Sequence, residues 1–516
     1  MENSNVKKNK NIVAIITMFF LFAMIAFVTN LAAPIGTIWG FKFEGNSFLG
    51  MLGNMMNFLA YLIMGIPAGR LLQRIGYKKT ALWAVAVGMI GLFVQWLSSI
   101  VGSEQDIWLR FAFYLAGAFI SGFCVCMLNT VVNPMLNTIG GGGSKGNQLL
   151  QIGGSFNSLA ATLSPLLVGL LIGRLTYKTS MGTVAPLLWI GIGIFALAFI
   201  IISLVKIPET NVAASGKKVV YTHSAWSFRH TVLGVIGIFF YVGIEVGIPG
   251  TLNYYLSLPA ADGGAGIIGN AATIAGAVVA VYWLLMLFGR LLSSTISGKV
   301  SARMQLICVS ALGIGLVVAA ICTYNGSRIP LPKIVYNPES NVRTTLEGAN
   351  VDGNVIDQFM LEKNPQVLTP YTEPLTVTNA EGNEESKMVL SNSEQTPDDL
   401  VLALTTKSEI PLCALFLVLV GLCTSVMWGG IFNLAVEGIG KYTAQASGIF
   451  MMMVVGGGVM PLLQQLLARG VGYMNSYWLI VGMLGYILFY AFSGSKNVNT
   501  DISVDEEEVQ EIPDAL

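Results

Sequence analysis

Phe239-Phe240-Tyr241-Val242-Gly243-Ile244-Glu245-Val246-Gly247-Ile248-Pro249-Gly250 lies in an apolar run, Thr231 to Leu256, with a carboxylate at its centre. A run of about 25 residues crosses a bilayer as a helix. An ionisable side chain at bilayer depth costs roughly 2.5–3.5 kcal/mol on insertion scales and marks a functional position by default. The rest of the chain is read outward from Glu245.

Eleven further apolar runs of spanning length flank this one. Five precede the polar stretch 206–229, together with a first run at the N-terminus, near 12–38, 48–70, 80–101, 108–138, 148–174 and 184–205. The others follow, near 271–296, 305–323, 410–434, 443–468 and 475–493. Composition agrees with a polytopic membrane protein. The chain has 516 residues, 54% apolar and 11% charged, where soluble proteins carry about 25% charged residues; mean hydropathy is +0.68. Net charge is zero and no basic stripe is present, which argues against a nucleic-acid partner. The six cysteines all fall in apolar runs, giving neither a disulfide framework nor a zinc spacing. Nothing calls for a metal, a cofactor or enzymatic chemistry. Lys7, Lys8 and Lys10 precede a run, Asn11 to Ile35, that is too long for a 7–15-residue signal core. It is read as the first transmembrane helix.

Lysine and arginine set the orientation. With the N-terminus inside, 17 fall on the inside, Arg290 among them, and 5 in short outside loops; the other 6 lie in the long loop 324–409. The bias favours both termini in the cytosol. The expected organisation is an N-terminal six-helix half (1–205), a cytosolic linker (206–230), helices 7–9 (231–323), an external insert (324–409), helices 10–12 (410–494) and an acidic cytosolic tail (495–516). In the insert, Lys333-Ile334-Val335-Tyr336 and Gln366-Val367-Leu368-Thr369 suggest short strands, with a disordered loop as the alternative. His223 and His230 lie at the entry to the seventh span and are read as surface histidines, with proton feeding through His230 as the alternative.

The halves echo each other. Gly69-Arg70-Leu71-Leu72 closes the second span and Gly289-Arg290-Leu291-Leu292 the eighth. Asn133 before Ile139-Gly140 matches Asn433 before Ile439-Gly440. Such duplication is how many secondary transporters are built, with the substrate site near the midplane between the halves.

The first inside loop, Gly69-Arg70-Leu71-Leu72-Gln73-Arg74-Ile75-Gly76-Tyr77-Lys78-Lys79, resembles the major facilitator superfamily signature G-x-L-x-D-R-x-G-x-K-K, with Gln73 where the acid usually stands. Gly69, Arg74, Gly76 and Lys78 are its expected conformational residues. Ile66-Pro67-Ala68-Gly69, Leu128-Asn129-Thr130-Val131-Val132-Asn133-Pro134, Ser155-Phe156-Asn157-Ser158, Phe240 to Val246, and Gly456-Gly457-Gly458 near Pro461 are similar to the fucose–galactose–glucose branch of sugar permeases. The resemblance implies an all-α membrane protein of twelve helices in two six-helix repeats, with a sugar substrate and proton coupling.

Two departures bear on mechanism. The fucose-symporter pattern has an acid in the first span and another in the fourth. Here Asn30 and Asn129 take those positions, and an amide cannot carry a proton. Of the 28 acids, 13 lie in the long loop and seven in the tail; the rest except Glu245 sit in loops or at span ends. Glu245 is then the sole mid-membrane candidate for proton coupling. It reads equally as an acceptor for a sugar hydroxyl, and a protonated acid bonded to a neighbouring helix is a third reading.

Asn129, Asn133 and Asn137 share one helix face, and Tyr241 and Glu245 another. Asn157, Asn253, Trp283, Trp428 and Asn433 add amides and aromatic faces suited to sugar, although hydrogen bonding between helices explains each one singly. The sequence-level expectation is an importer of a monosaccharide or related sugar in the bacterial inner membrane. Its site draws on Asn30, Asn129, Asn133, Asn157, Tyr241, Glu245, Asn253, Trp283, Trp428 and Asn433. A facilitator, a carrier of an amphipathic non-sugar, and a transport-dead sensor are the alternatives.

Overall fold

The structure is a computed structural model and describes residues 2–43, 47–103, 106–141, 143–172, 181–205, 207, 222–378, 384–393 and 395–504. The side chain of Asn30 lies outside the described set. The first part of the chain forms α1 (Glu2–Lys42), α2 (Ser47–Leu97), α3 (Ile107–Ile139), α4 (Gly143–Ile172) and α5 (Ala185–Leu204). The second begins with α6 (Arg229–Ser257), α7 (Ala271–Ile296) and α8 (Ala302–Thr323). After a small module come α12 (Leu412–Ala435), α13 (Thr443–Met453), α14 (Gly456–Val471) and α15 (Trp478–Phe489). Among the described residues each of the twelve apolar runs falls on helix over most of its length; the start of the 410–434 run is in strand, and the 443–468 run breaks at Val454–Val455. Among the described residues, ten helical stretches are long and apolar enough to cross a membrane.

One of these stretches holds two expected spans. Helix α2 counts 51 residues, about 77 Å if straight, which is more than twice the ~30 Å hydrocarbon core. It is not straight. Gly76 has φ 80° and ψ 177°, a conformation open essentially to glycine alone. The chain doubles back there. Gly53 abuts Tyr114 while Gln95 abuts Gly117 on the same helix, α3, so residues 53 and 95 lie at one level.

The two parts of the chain meet along α2–α13 and α4–α7. The closest approach is made by glycines. A Cβ at Gly448 would lie 2.6 Å from the Gly65 carbonyl oxygen and 2.8 Å from the Gly69 Cα. Gly69 lies about two turns before Gly76 on α2, and the molecule is shut on the side of the first loop. Further links on this face run from Asn147 to Ser297 (3.0 Å) and from Gln151 to the Val426 carbonyl (3.0 Å).

The module between α8 and α12 is folded. It holds α9 (Pro338–Gly348), α10 (Gly353–Glu362) and α11 (Pro397–Thr405) around a separate core of Val342, Leu346, Phe359, Leu368, Leu390 and Leu400. At its base β1 (Arg328–Pro330) pairs antiparallel with β4 (Glu409–Pro411); β2 (Thr372–Thr378) and β3 (Glu384–Leu390) form a hairpin. The strands are not where the sequence suggested. Lys333–Tyr336 is a turn, and Gln366–Thr369 lies in a 3-10 segment, Pro365–Tyr371. Pro332 and Pro338 flank the one, Pro365 and Pro370 the other, and proline cannot donate to a strand ladder.

Beyond α15 the chain returns across the first-loop end of the second part. Arg303 Nε donates to Ser495 Oγ (3.2 Å), the Arg229 amide to Asn499 Oδ1 (3.0 Å) and the Lys441 amide to the Val504 carbonyl (3.2 Å). These contacts tie the starts of α6 and α8 to the α12–α13 turn.

Candidate substrate site

A cavity of about 190 Å³ lies between the two parts of the chain. Helix α3 brings Asn129 to its wall, α4 brings Asn157, α6 Tyr241 and Glu245, α7 Trp283 and Arg290, and α12 Trp428. Tyr241 and Glu245 reach it together because residues four apart share a helix face. The Val454–Val455 break between α13 and α14 also touches it, through Val454.

Glu245 has a partner that the sequence did not supply. Arg290 Nη2 lies 3.3 Å from Glu245 Oε1. Its other terminal nitrogen, Nη1, donates to the Gly154 carbonyl and to Ser158 Oγ, both at 2.7 Å. Counting Arg290 among inside loop cations is thus corrected. Helix α7 continues six residues past it, to Ile296, and Arg290 is 7% exposed. The overlooked signal is a cation within an apolar helix that holds no acid, which needs a partner from elsewhere.

The amides are already engaged. Asn129 Nδ2 donates to the Tyr61 hydroxyl at 2.9 Å. Asn157, in the cavity wall, donates Nδ2 to the Phe22 carbonyl at 3.1 Å. Asn133 is fully buried behind the wall. Its Nδ2 donates to the Asn129 carbonyl (2.8 Å) and its Oδ1 accepts from Trp428 Nε1 (2.9 Å), so it positions a wall residue. Trp428 also packs on Tyr241, ring centroids 6.0 Å apart. Trp283 stands edge-on to Tyr282 at 5.3 Å.

Two expected site residues fall elsewhere. Asn253 does not line the cavity and accepts from Ser257 Oγ (3.1 Å), two turns beyond Glu245. Asn433 is buried in α12 away from it. Tyr61, Gln151 and Ser158 do line it, and sequence reading missed them because nothing in their helices sets them apart. His230, read as a surface residue, is fully buried, with Nε2 3.0 Å from the Glu437 carbonyl oxygen.

Gly69 allows the approach of Gly448, and Gly76 takes the left-handed turn. Lys78 Nζ donates to the carbonyls of Ser203 (2.7 Å) and Val205 (2.9 Å), the terminal acceptors of α5, where a cation also meets the negative end of the helix dipole. Arg74 is exposed.

The profile of the Major Facilitator Superfamily matches residues 13–331, more than half of the chain. The chain belongs to the major facilitator superfamily. It is therefore a membrane transporter and not an enzyme. The match ends where the inserted module begins. This major facilitator is 26% identical over 493 residues to the glucose/galactose transporter of Brucella abortus, covering 94% of each chain. It is 26% identical over 271 residues to the L-fucose-proton symporter of Haemophilus influenzae, covering 47% of this chain and 61% of that one. Among solved structures, the transporter FucP in the outward conformation superposes with a TM-score of 0.65 at 16% identity, covering 95% of this chain and all of the other.

Proposed function

We propose that this major facilitator imports a monosaccharide or related sugar across a bacterial inner membrane by alternating access. Twelve transmembrane helices form two six-helix pseudo-repeats, 1–205 and 231–494, joined by a cytosolic linker. Both termini lie in the cytosol and the 324–409 module outside. The observation that carries this reading is the cavity between the halves. Amides (Asn129, Asn157), aromatic faces (Trp283, Trp428) and one charge pair (Glu245–Arg290) converge there. Sugar binding uses this combination of planar hydrogen-bonding groups and apolar ring faces. The glucose/galactose transporters, similar over nearly the whole chain, support the substrate class. With the first loop cytosolic, the structure is the outward-facing form, since its closed contacts are at Gly65, Gly69 and Gly448.

Coupling runs through Glu245, the one mid-membrane acid. The test is uptake into proteoliposomes across a panel of monosaccharides, with and without an imposed proton gradient. Wild type is expected to accumulate one or a few hexoses against a gradient. Glu245→Gln is expected to abolish accumulation while retaining sugar exchange. Full accumulation by Glu245→Gln defeats proton coupling at this residue. A facilitator is the second reading, favoured by the amides at positions 30 and 129. It is supported if wild type equilibrates sugar and an imposed gradient adds nothing.

A further inference from the structure

The Gly-Arg-Leu-Leu quartet occurs twice, at 69–72 and 289–292, and its two arginines have different surroundings. Arg70 is exposed. Arg290 is buried and bonds both to α4, from the first half, and to α6, from the second. A single guanidinium thus spans the division that must open and close during transport.

We propose that Arg290 is a charge-set latch, holding the first-loop end closed while Glu245 is negative and releasing it when Glu245 becomes neutral. The idea deepens the alternating-access reading above and rests on it. Guanidinium keeps its proton throughout. Its hydrogen bonds to α4, to the Gly154 carbonyl and Ser158 Oγ, are with neutral groups. Compensation therefore comes from Glu245 alone. The other titratable groups facing the pair from packed helices are Tyr241 on α6 and Tyr282 on α7, with Cys423 of α12 behind Tyr282. None of these supplies a negative charge while protonated. When Glu245 takes up a proton, Arg290 is left as a buried cation with no anion, an arrangement that strongly disfavours the closed packing. Parting α4 from α7 admits water to the guanidinium and relieves this.

The sign is the one that import requires. A neutral Glu245 opens the first-loop end, and a negative Glu245 draws it shut for the next cycle. The Asn147–Ser297 bond, nearer the same end, opens with it. Arg70, exposed and lining a pocket with Trp226, Gln445 and Ile449, is not a buried cation and needs no anion.

The latch is tested by spin-label distances on purified protein without sugar. Nitroxides are placed at Lys145→Cys and Lys299→Cys, both exposed, at the start of α4 and just past the end of α7. The exposed Cys308 and Cys322 are replaced by alanine in this background. Glu245→Gln is expected to raise the ratio of long to short distances by about tenfold or more. Ser158→Ala, which keeps the pair and removes one anchor on α4, is expected to raise it less. The double variant Glu245→Gln/Arg290→Met removes both charges and is expected to lie closer to wild type than Glu245→Gln does. An unchanged distribution in Glu245→Gln overturns the latch, as does a double variant more open than Glu245→Gln. Because no sugar enters the experiment, a protein that transports no sugar yet opens on Glu245→Gln rejects the substrate assignment and keeps the latch. A sugar transporter whose distances stay fixed does the reverse.

Discussion

Asn133 shows how much a single side chain settles behind the cavity wall. Its amide nitrogen and oxygen are both satisfied, by the Asn129 carbonyl and by Trp428 Nε1. Trp428→Phe keeps most of the ring but leaves Oδ1 buried without a donor, which costs about 1–3 kcal/mol. The thermal midpoint in detergent should fall, and Trp428→Phe/Asn133→Leu should recover part of the loss, because a shared bond counts once in a double-mutant cycle. At this scale the sequence was readable where a residue type was out of place. Glu245 stood out as the one acid in the apolar runs. Arg290 escaped notice because it was counted with the loop cations, although the expected span, 271–296, already enclosed it and matches the observed helix. Asn253 and Asn433 show the opposite failure. A polar residue in an apolar helix announces a partner, but only the packing says whether that partner is a ligand or another helix.

Glycine positions govern the helices. Gly76 joins two spans at φ 80°, so Gly76→Ala should destabilise the fold by about 1–3 kcal/mol, read as a lower denaturation midpoint with transport retained in the folded fraction. Gly448 has a different effect. A side chain there collides with the Gly65 and Gly69 backbone in this closed form. Gly448→Leu should fold, bind sugar weakly from the outside and give a longer 145–299 spin-label distance. A wild-type distance in that variant removes the glycine crossing from the closure. The spans themselves were legible from the length of the apolar runs, because bilayer thickness fixes how much helix is needed. The strands of the inserted module were not. β-Branched residues in Lys333–Tyr336 and Gln366–Thr369 pointed to strand, and the neighbouring prolines overruled them.

The whole molecule joins a membrane body to a module with its own core, and the β1–β4 pair brings the module's two ends together. Replacing residues 333–406 by a short Gly-Ser linker should leave uptake within about threefold of wild type, because closing a loop whose ends are already adjacent costs little. Loss of uptake in a well-folded deletion assigns the module a part in transport. The order of helices was legible from the alternation of apolar runs with charged loops. The state of the transporter was not, since nothing in the order of residues says which end is shut. That depends on which of two packings of the same glycine faces is lower in free energy.

The tail that runs back to Val504 has a mechanical consequence. By fastening the starts of α6 and α8 to the α12–α13 turn, it turns one end of the second half from separate rods into a plate. A torque applied to α6 at Glu245 is then shared by its neighbours rather than spent in bending one helix. Stiffness of this kind sets how faithfully a small event at mid-membrane reaches the first-loop rim. Cutting the chain after Gly494 should therefore loosen the stroke of the carrier before it weakens the grip on its cargo.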